Sequence, residues 1–211
     1  MLLQKFKNEY FQWILKFLMD VNGLFSRNED GVTNVSVVHC ETSSGVVNPI
    51  EDIGAAVKGF NKGTTSLESL SNDIAFQEQF RSMYKYILDI SYSVDAMSSF
   101  GAIPIDMGVS RIDYLISSAN KCLEGVPGLA FVICRREDLV SRKGFARSLS
   151  LDLVDQYQSL ESTSQFRFTP PTHVILALQQ ALVELSEEGG VKGRAARFVS
   201  AHDIVRFKQC L

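Results

Sequence analysis

The sequence lacks the features that announce a metal centre, a disulfide framework or a membrane span. Its 211 residues include four cysteines, Cys40, Cys122, Cys134 and Cys210, set far apart with no Cys-x-x-Cys and no paired Cys/His spacing. That pattern excludes a zinc finger or a disulfide-stapled scaffold and fits a reducing compartment, the cytoplasm. The histidines, His39, His173 and His202, show no metal-ligand spacing either, and no metal is expected. No apolar run is long enough to cross a bilayer. The formal net charge of −3 gives no basic surface to attract nucleic acid or an anionic membrane. Walker-type loop, Gly-x-Gly-x-x-Gly turn and nucleophile elbow are all absent, which removes the usual nucleotide-binding and serine-hydrolase readings.

What is present is ordinary globular material, 45% apolar and 21% charged, with length for one sizeable core or for one domain and pieces of another. Residues 1–25 are amphipathic, with Leu2, Leu3, Phe6, Tyr10, Trp13, Ile14, Phe17 and Leu18 at helical spacing and Lys5, Lys7, Glu9 and Asp20 interrupting. A secretory signal would have an unbroken apolar core, and a mitochondrial presequence would be richer in Arg and Ser and poorer in acids. The segment reads as a packing helix or a non-native leader.

Residues 35–40 form a short β-rich run followed by the polar loop Glu41-Thr-Ser-Ser-Gly45. Pro49 opens a helix expected to reach Lys58, with Glu51 and Asp52 favouring its N-terminus. Residues 92–95 and 114–117 read as buried strands, and 129–134 as a third apolar run. Residues 137–160 read as mainly helical, broken at Gly144. Thr172 is the expected N-cap of a long amphipathic helix over 173–187 that ends at Gly189-Gly190. Strands alternating with helices predict an α/β fold with a mostly parallel, mixed sheet flanked by helices. Residues 63–90 break the rhythm: a Gly-Thr-Thr-Ser loop, then a weakly amphipathic helix through Phe76, Phe80, Tyr84 and Ile87. Compact α/β units connect helix to strand in about 2–6 residues, so this stretch reads as an insertion.

Two strand ends carry the chemistry. Lys121 follows the apolar run 112–116 and the small residues Ser117, Ser118 and Ala119, and a Gly-Val-Pro-Gly turn follows it. Ligand sites in open α/β sheets lie at the carboxyl ends of strands. A lysine there can condense with an aldehyde cofactor, helped by desolvation or a neighbouring cation; the plain alternative is a solvated surface charge. Asp95 closes its own strand. It either caps the following turn or pairs with a protonated ring nitrogen, keeping the ring an electron sink. Thr169, in Phe168-Thr-Pro-Pro-Thr172, sits where the prolines stiffen the chain. Its hydroxyl either belongs to a helix lead-in or meets a phosphate.

The strings His39-Cys-Glu-Thr-Ser-Ser-Gly45, Asn48-Pro-Ile-Glu-Asp-Ile53, Val94-Asp-Ala-Met-Ser-Ser-Phe-Gly-Ala-Ile-Pro-Ile-Asp106, Ile116-Ser-Ser-Ala-Asn-Lys-Cys-Leu-Glu-Gly-Val-Pro-Gly128, Arg147-Ser-Leu-Ser-Leu-Asp152 and Phe166-Arg-Phe-Thr-Pro-Pro-Thr-His173 resemble the 2-aminoethylphosphonate:pyruvate transaminases. These are class V aminotransferases of the pyridoxal-phosphate (PLP) fold type I. Asn120 before the lysine is typical of that branch, whereas much of the wider class has His or Gln there. The resemblance covers most of residues 32–206 apart from 63–90.

It implies a PLP enzyme in which Lys121 is the catalytic, Schiff-base lysine and Asp95 partners the pyridine nitrogen. Thr42, Ser43 and Ser118 would line the cofactor pocket, and Thr169 would reach the cofactor phosphate of the neighbouring subunit in a homodimer. The implied reaction passes the amino group of 2-aminoethylphosphonate to pyruvate, releasing phosphonoacetaldehyde and alanine. The runners-up are another class V transaminase, of the alanine–glyoxylate type, and a non-catalytic fragment that pairs with a homologue. The resemblance is also incomplete. Residues 1–31 do not match the family's phosphate loop and stacking aromatic. The chain diverges at 207–211, before the small C-terminal domain that would supply an arginine for the substrate anion. The expectation is therefore a part of the large domain, truncated at both ends, with weak or no turnover by this chain alone.

Overall fold

In the computed structural model the described residues are 32–68 and 90–209, with the backbone alone described over 60–68 and 202–209. They divide into two compact units. The first contains the described residues up to Asp95 together with Asp106–Ile112; the second contains Ala96–Ile105 and the chain from Asp113 onward.

The first unit is built on β1 (Asn34–Val38), the short strands β2 (Cys40–Glu41) and β3 (Val46–Val47), α1 (Ile50–Glu68) and β4 (Ser91–Asp95). β1 and β4 are parallel, from Asn34 opposite Ser91 to Val38 opposite Asp95. Parallel strands need a crossover between them, and α1 begins it. Ile50, Ile53, Gly54 and Val57 recur at helical spacing and are all buried. Ile53, Val57, Ile90, Tyr92 and Val94 are fully enclosed, each aliphatic side chain contributing about 1.5–3 kcal/mol of burial free energy. The Tyr92 hydroxyl is buried with them and donates to the Ile50 carbonyl at 3.0 Å. β2 and β3 pair antiparallel, so the polar loop is the tip of a hairpin.

α1 runs past the expected end at Lys58 to Glu68. Residues 63–66, read from sequence as loop, are helical. A glycine costs about 1 kcal/mol in a helix, but each added residue of an established helix gains a hydrogen bond, so Gly63 does not stop it. The stretch set apart as an insertion thus begins inside a helix. Residues 69–89 and the expected N-terminal helix lie outside the described residues.

The second unit contains β5 (Tyr114–Ser118), β6 (Ala130–Cys134), α2 (Arg136–Ser141), α3 (Leu153–Thr163), α4 (Thr172–Glu187) and α5 (Gly190–Gln209). β5 and β6 are antiparallel, with Tyr114 opposite Cys134 and Ser118 opposite Ala130. Leu115 and Ser117 of β5 are buried in strand alternation. The helical stretch expected over 137–160 with a break at Gly144 is two helices, and Gly144, at φ +84°, lies between them. α3 starts afresh at Asp152, whose carboxylate accepts from the amides of Val154 and Asp155 at 3.0 and 3.1 Å. α4 has Pro171 as its N-cap and no side-chain cap; the Thr172 amide already donates to Pro170, so Thr172 is the first helical residue and not the cap. After α4 the chain turns at Gly189, at φ +96°, and re-enters helix as α5. α5 continues to Gln209. Parallel and antiparallel pairing with flanking helices make this the expected α/β class with a mixed sheet. Among the described residues no helix is long and apolar enough to cross a membrane.

Candidate functional site

β5 ends at the half-buried Ser118, and the chain then closes a tight turn around Lys121. The Ala119 amide donates to Leu129 at 3.1 Å, the Gly125 amide to Ala119 at 2.8 Å and the Glu124 amide to Lys121 at 2.8 Å. Gly125 is required by space: a Cβ there would stand 2.8 Å from the Ala119 carbonyl oxygen. Leu123 is the apolar anchor of the turn, buried against Gly101. Gly101 adopts φ +96°, and a Cβ on it would approach Leu123 to 2.8 Å. The Cys122 thiol donates to the Ser98 carbonyl at 3.3 Å. Within this fixed frame Lys121 is exposed. The desolvation expected around its amine is not supplied by the described residues; the strand leading to it is buried and the lysine emerges from it.

Asp95 is the last residue of β4 and is half-buried. Its carbonyl accepts from the His39 amide at 2.8 Å, which holds the end of β4 to the start of the hairpin. Burial pushes the His39 imidazole below its ordinary range, so the ring favours its neutral form. Ala96, which follows Asp95, is anchored through both backbone groups. Its amide donates to Ile116 of β5 at 2.8 Å, and its carbonyl accepts from the Ser117 hydroxyl at 3.2 Å. Ser117 directly precedes Ser118, on the strand that leads to Lys121.

Thr42 and Ser43 are exposed at the tip of the hairpin. The Ser43 amide and hydroxyl both donate to one Glu41 carboxylate oxygen, at 2.9 and 2.7 Å. The amide first and the hydroxyl second hold the Glu41 carboxyl below its ordinary value. The Ser43 hydroxyl is therefore engaged within the hairpin. Thr169 is exposed in the link before α4, next to Phe168. Arg167 organises that link: it donates to the carbonyls of Leu149 and Asp152 at 2.8 and 3.3 Å and pairs with Asp155 at 3.4 Å. It also lies over the Phe168 ring, 5.1 Å from the centroid. The strings 147–152 and 166–173 are thus joined by a residue the sequence reading did not single out.

The structure places Ser118 and Lys121 at one strand end of the second unit. Thr42, Ser43 and Asp95 belong to the first, where the His39 amide bonds the Asp95 carbonyl. Thr169 stands on a separate link of the second unit. Sequence reasoning missed the cluster that closes on the lysine turn. Arg194 of α5, 2% exposed, donates to the Cys122 carbonyl and to Glu188, each at 2.8 Å. Arg197 binds both Glu124 carboxylate oxygens at 2.9 and 2.8 Å and Glu188 at 2.6 Å. The only local signal for it is a pair of arginines one helical turn apart, following an acidic residue.

Comparison with known proteins supplies the family. Residues 64–198 match the family model described as aminotransferase class-V, a segment that starts inside the stretch set apart as an insertion. A 2-aminoethylphosphonate–pyruvate transaminase of Bacteroides fragilis is 45% identical over 186 residues, 88% of this chain and 43% of that protein. A protein of the same name from Bacillus mycoides is 42% identical over 198 residues, 93% and 46% respectively. The chain spans less than half the length of these curated relatives. Among solved structures, pyridoxamine–pyruvate aminotransferase from Mesorhizobium loti superposes with a TM-score of 0.62 at 25% identity, covering 85% of this chain and 39% of that one. Ureidoglycine–glyoxylate aminotransferase from Bacillus subtilis gives the same TM-score and coverage at 22% identity, a likeness of fold. The fold is a partial fold type I domain, and the chain belongs to the class-V aminotransferases.

Proposed function

We propose that this chain carries the lysine-bearing part of a PLP-dependent transaminase that moves the amino group of 2-aminoethylphosphonate to pyruvate, giving phosphonoacetaldehyde and L-alanine. The names of its relatives support the substrates. The observation that carries the chemistry is an exposed primary amine, Lys121, at the carboxyl end of a buried strand, in a turn closed by its own backbone hydrogen bonds.

The residues present fit the cofactor. An amine, a carboxylate and hydroxyls form the donor set that an aromatic aldehyde phosphate requires. Lys121 would hold PLP covalently and Asp95 would meet the ring nitrogen. Thr42, Ser43 and Ser118 would line the pocket, and Thr169 would serve the phosphate in the neighbouring subunit of a homodimer. When bound, PLP supplies the aldehyde for amine exchange and the ring that takes up the electron pair of a broken C–H bond. Lys121 would hold and move a proton at its Nζ. Asp95 would keep the ring nitrogen protonated. In the relaxed hairpin the Ser43 hydroxyl is directed to Glu41, so it reaches a ligand through its remaining lone pairs or by leaving Glu41. We place the enzyme in the cytoplasm.

The test is chemical capture. After PLP and borohydride, peptide mass spectrometry should find the adduct on Lys121, and Lys121→Ala should lose it. Equal modification of the other exposed lysines would remove the reading. Amino-donor profiling then fixes the substrate. Alanine formed from pyruvate with 2-aminoethylphosphonate supports the proposal, whereas a stronger alanine-to-glyoxylate exchange replaces it with the alanine–glyoxylate type.

A further inference from the structure

We infer that Arg194 and Arg197 of α5, with Glu188 and Glu124, are positioning residues that fix the turn bearing Lys121 and so set the reactivity of its amine. The inference deepens the reading of Lys121 as the covalent lysine and rests on it.

Both routes out of α5 end beside Lys121. Arg194 is bound to the backbone of Cys122, the next residue, at 2.8 Å. Arg197 grips Glu124 through both carboxylate oxygens, and the Glu124 amide donates to the Lys121 carbonyl. Glu188 ties the two arginines together, receiving Arg194 at 2.7 Å and Arg197 at 2.6 Å. A surface salt bridge between two helices would be worth little. Here one guanidinium is 2% exposed and its partners lie on the α4–α5 corner and the turn. Planar guanidinium forks suit this, because they fix orientation as well as distance.

Glu124 gives a second, independent sign. It adopts φ +62°, a left-handed conformation that L side chains avoid and that persists where surrounding contacts over-determine it. The Arg197 Nη2, bound to both Glu124 oxygens, supplies that constraint. The cluster has two guanidinium and two carboxylate groups, so it adds no net charge near the Lys121 amine. Its effect is geometric: a nucleophile held in place reacts faster than one that must first be ordered.

The experiment compares the wild-type chain with Arg194→Lys and with the charge-balanced surface pair Glu124→Gln/Arg197→Gln. The pair leaves the Arg194–Glu188 contact in place, so it decides the matter if Arg194→Lys does not fold. The first readout is amide hydrogen exchange at Glu124 and Gly125, expected about tenfold faster in the variants while β5 stays protected. The second is PLP–borohydride capture on Lys121 relative to the exposed Lys143, expected to fall about tenfold. A merely structural role would raise exchange throughout the second unit and leave the capture ratio unchanged, and that result overturns the inference. Absence of selective capture in the wild-type chain would instead sink the reading of Lys121, while the exchange data still decide whether the cluster fixes the turn.

Discussion

The Lys121 turn and the hairpin carrying Thr42 and Ser43 are both loops at strand ends, yet they are held in opposite ways. The hairpin is closed by Glu41 and Ser43, two positions apart. The lysine turn is held by Arg194, 72 positions from Cys122, and by Arg197, 73 positions from Glu124. Leu123 wedges it against Gly101, and Cys122 reaches Ser98. Local closure leaves a loop free to adapt to a ligand at small cost, whereas long-range closure fixes a group before any ligand arrives. On the proposed reading of the site, the Lys121 amine would be preset and the Thr42 and Ser43 hydroxyls would adjust.

The largest effect expected from breaking that contrast is chemical. Lys121→Ala should abolish the borohydride-fixed PLP adduct, read by mass spectrometry, while leaving the melting temperature nearly unchanged because the side chain is exposed. Next, Arg194→Met should destabilise the second unit by about 3–5 kcal/mol, since it leaves Glu188 and the Cys122 carbonyl without their buried partner; chemical denaturation measures it. Gly125→Ala should cost about 1–3 kcal/mol by pressing a Cβ onto the Ala119 carbonyl. At the small end, Ser43→Ala should change stability by no more than about 0.5 kcal/mol, because it loosens only a local, exposed contact.

Acid sharpens the same comparison. His39 has its pKa lowered by burial, so below its ordinary value of 6.5 the unfolded chain binds more protons than the folded one. Stability of the first unit should fall as the pH drops through that value and level off below the folded pKa. Glu188 in the second unit is lowered by hydrogen bonds from Arg197 and then Arg194. Its contribution is present above 4.5 and is lost only as the pH falls through the depressed folded value. Amide exchange followed from neutral pH downward should therefore show β1 and β4 weakening before Glu124 and Gly125. The reverse order would contradict the assignment.

Much of the frame was legible in the sequence because its causes are local. Strand β4, strand β5, the start of α1 and the course of α4 follow from apolar spacing and the placement of proline and glycine. Lys121 and Asp95 were legible as groups at strand ends, and the motifs around them pointed to the family. Three features were not. The run of α1 through Gly59 and Gly63 depends on cooperative propagation, which outweighs these poor helix formers. The start of α4 at Thr172 depends on the Pro170 carbonyl taking the amide of Thr172. The Arg194–Arg197 cluster depends on tertiary contact across more than a third of the chain, and the helical-turn spacing of the two arginines does not say which turn they reach.

The account stands on Lys121 being the one lysine preset to react. The most direct measurement is the distribution of PLP adducts after borohydride reduction of the intact chain under limiting PLP, quantified for Lys121 against the exposed Lys143 and Lys192. The account predicts that the adduct concentrates on Lys121. An even spread over the three lysines, in a chain whose Glu124 and Gly125 amides are protected, would contradict it.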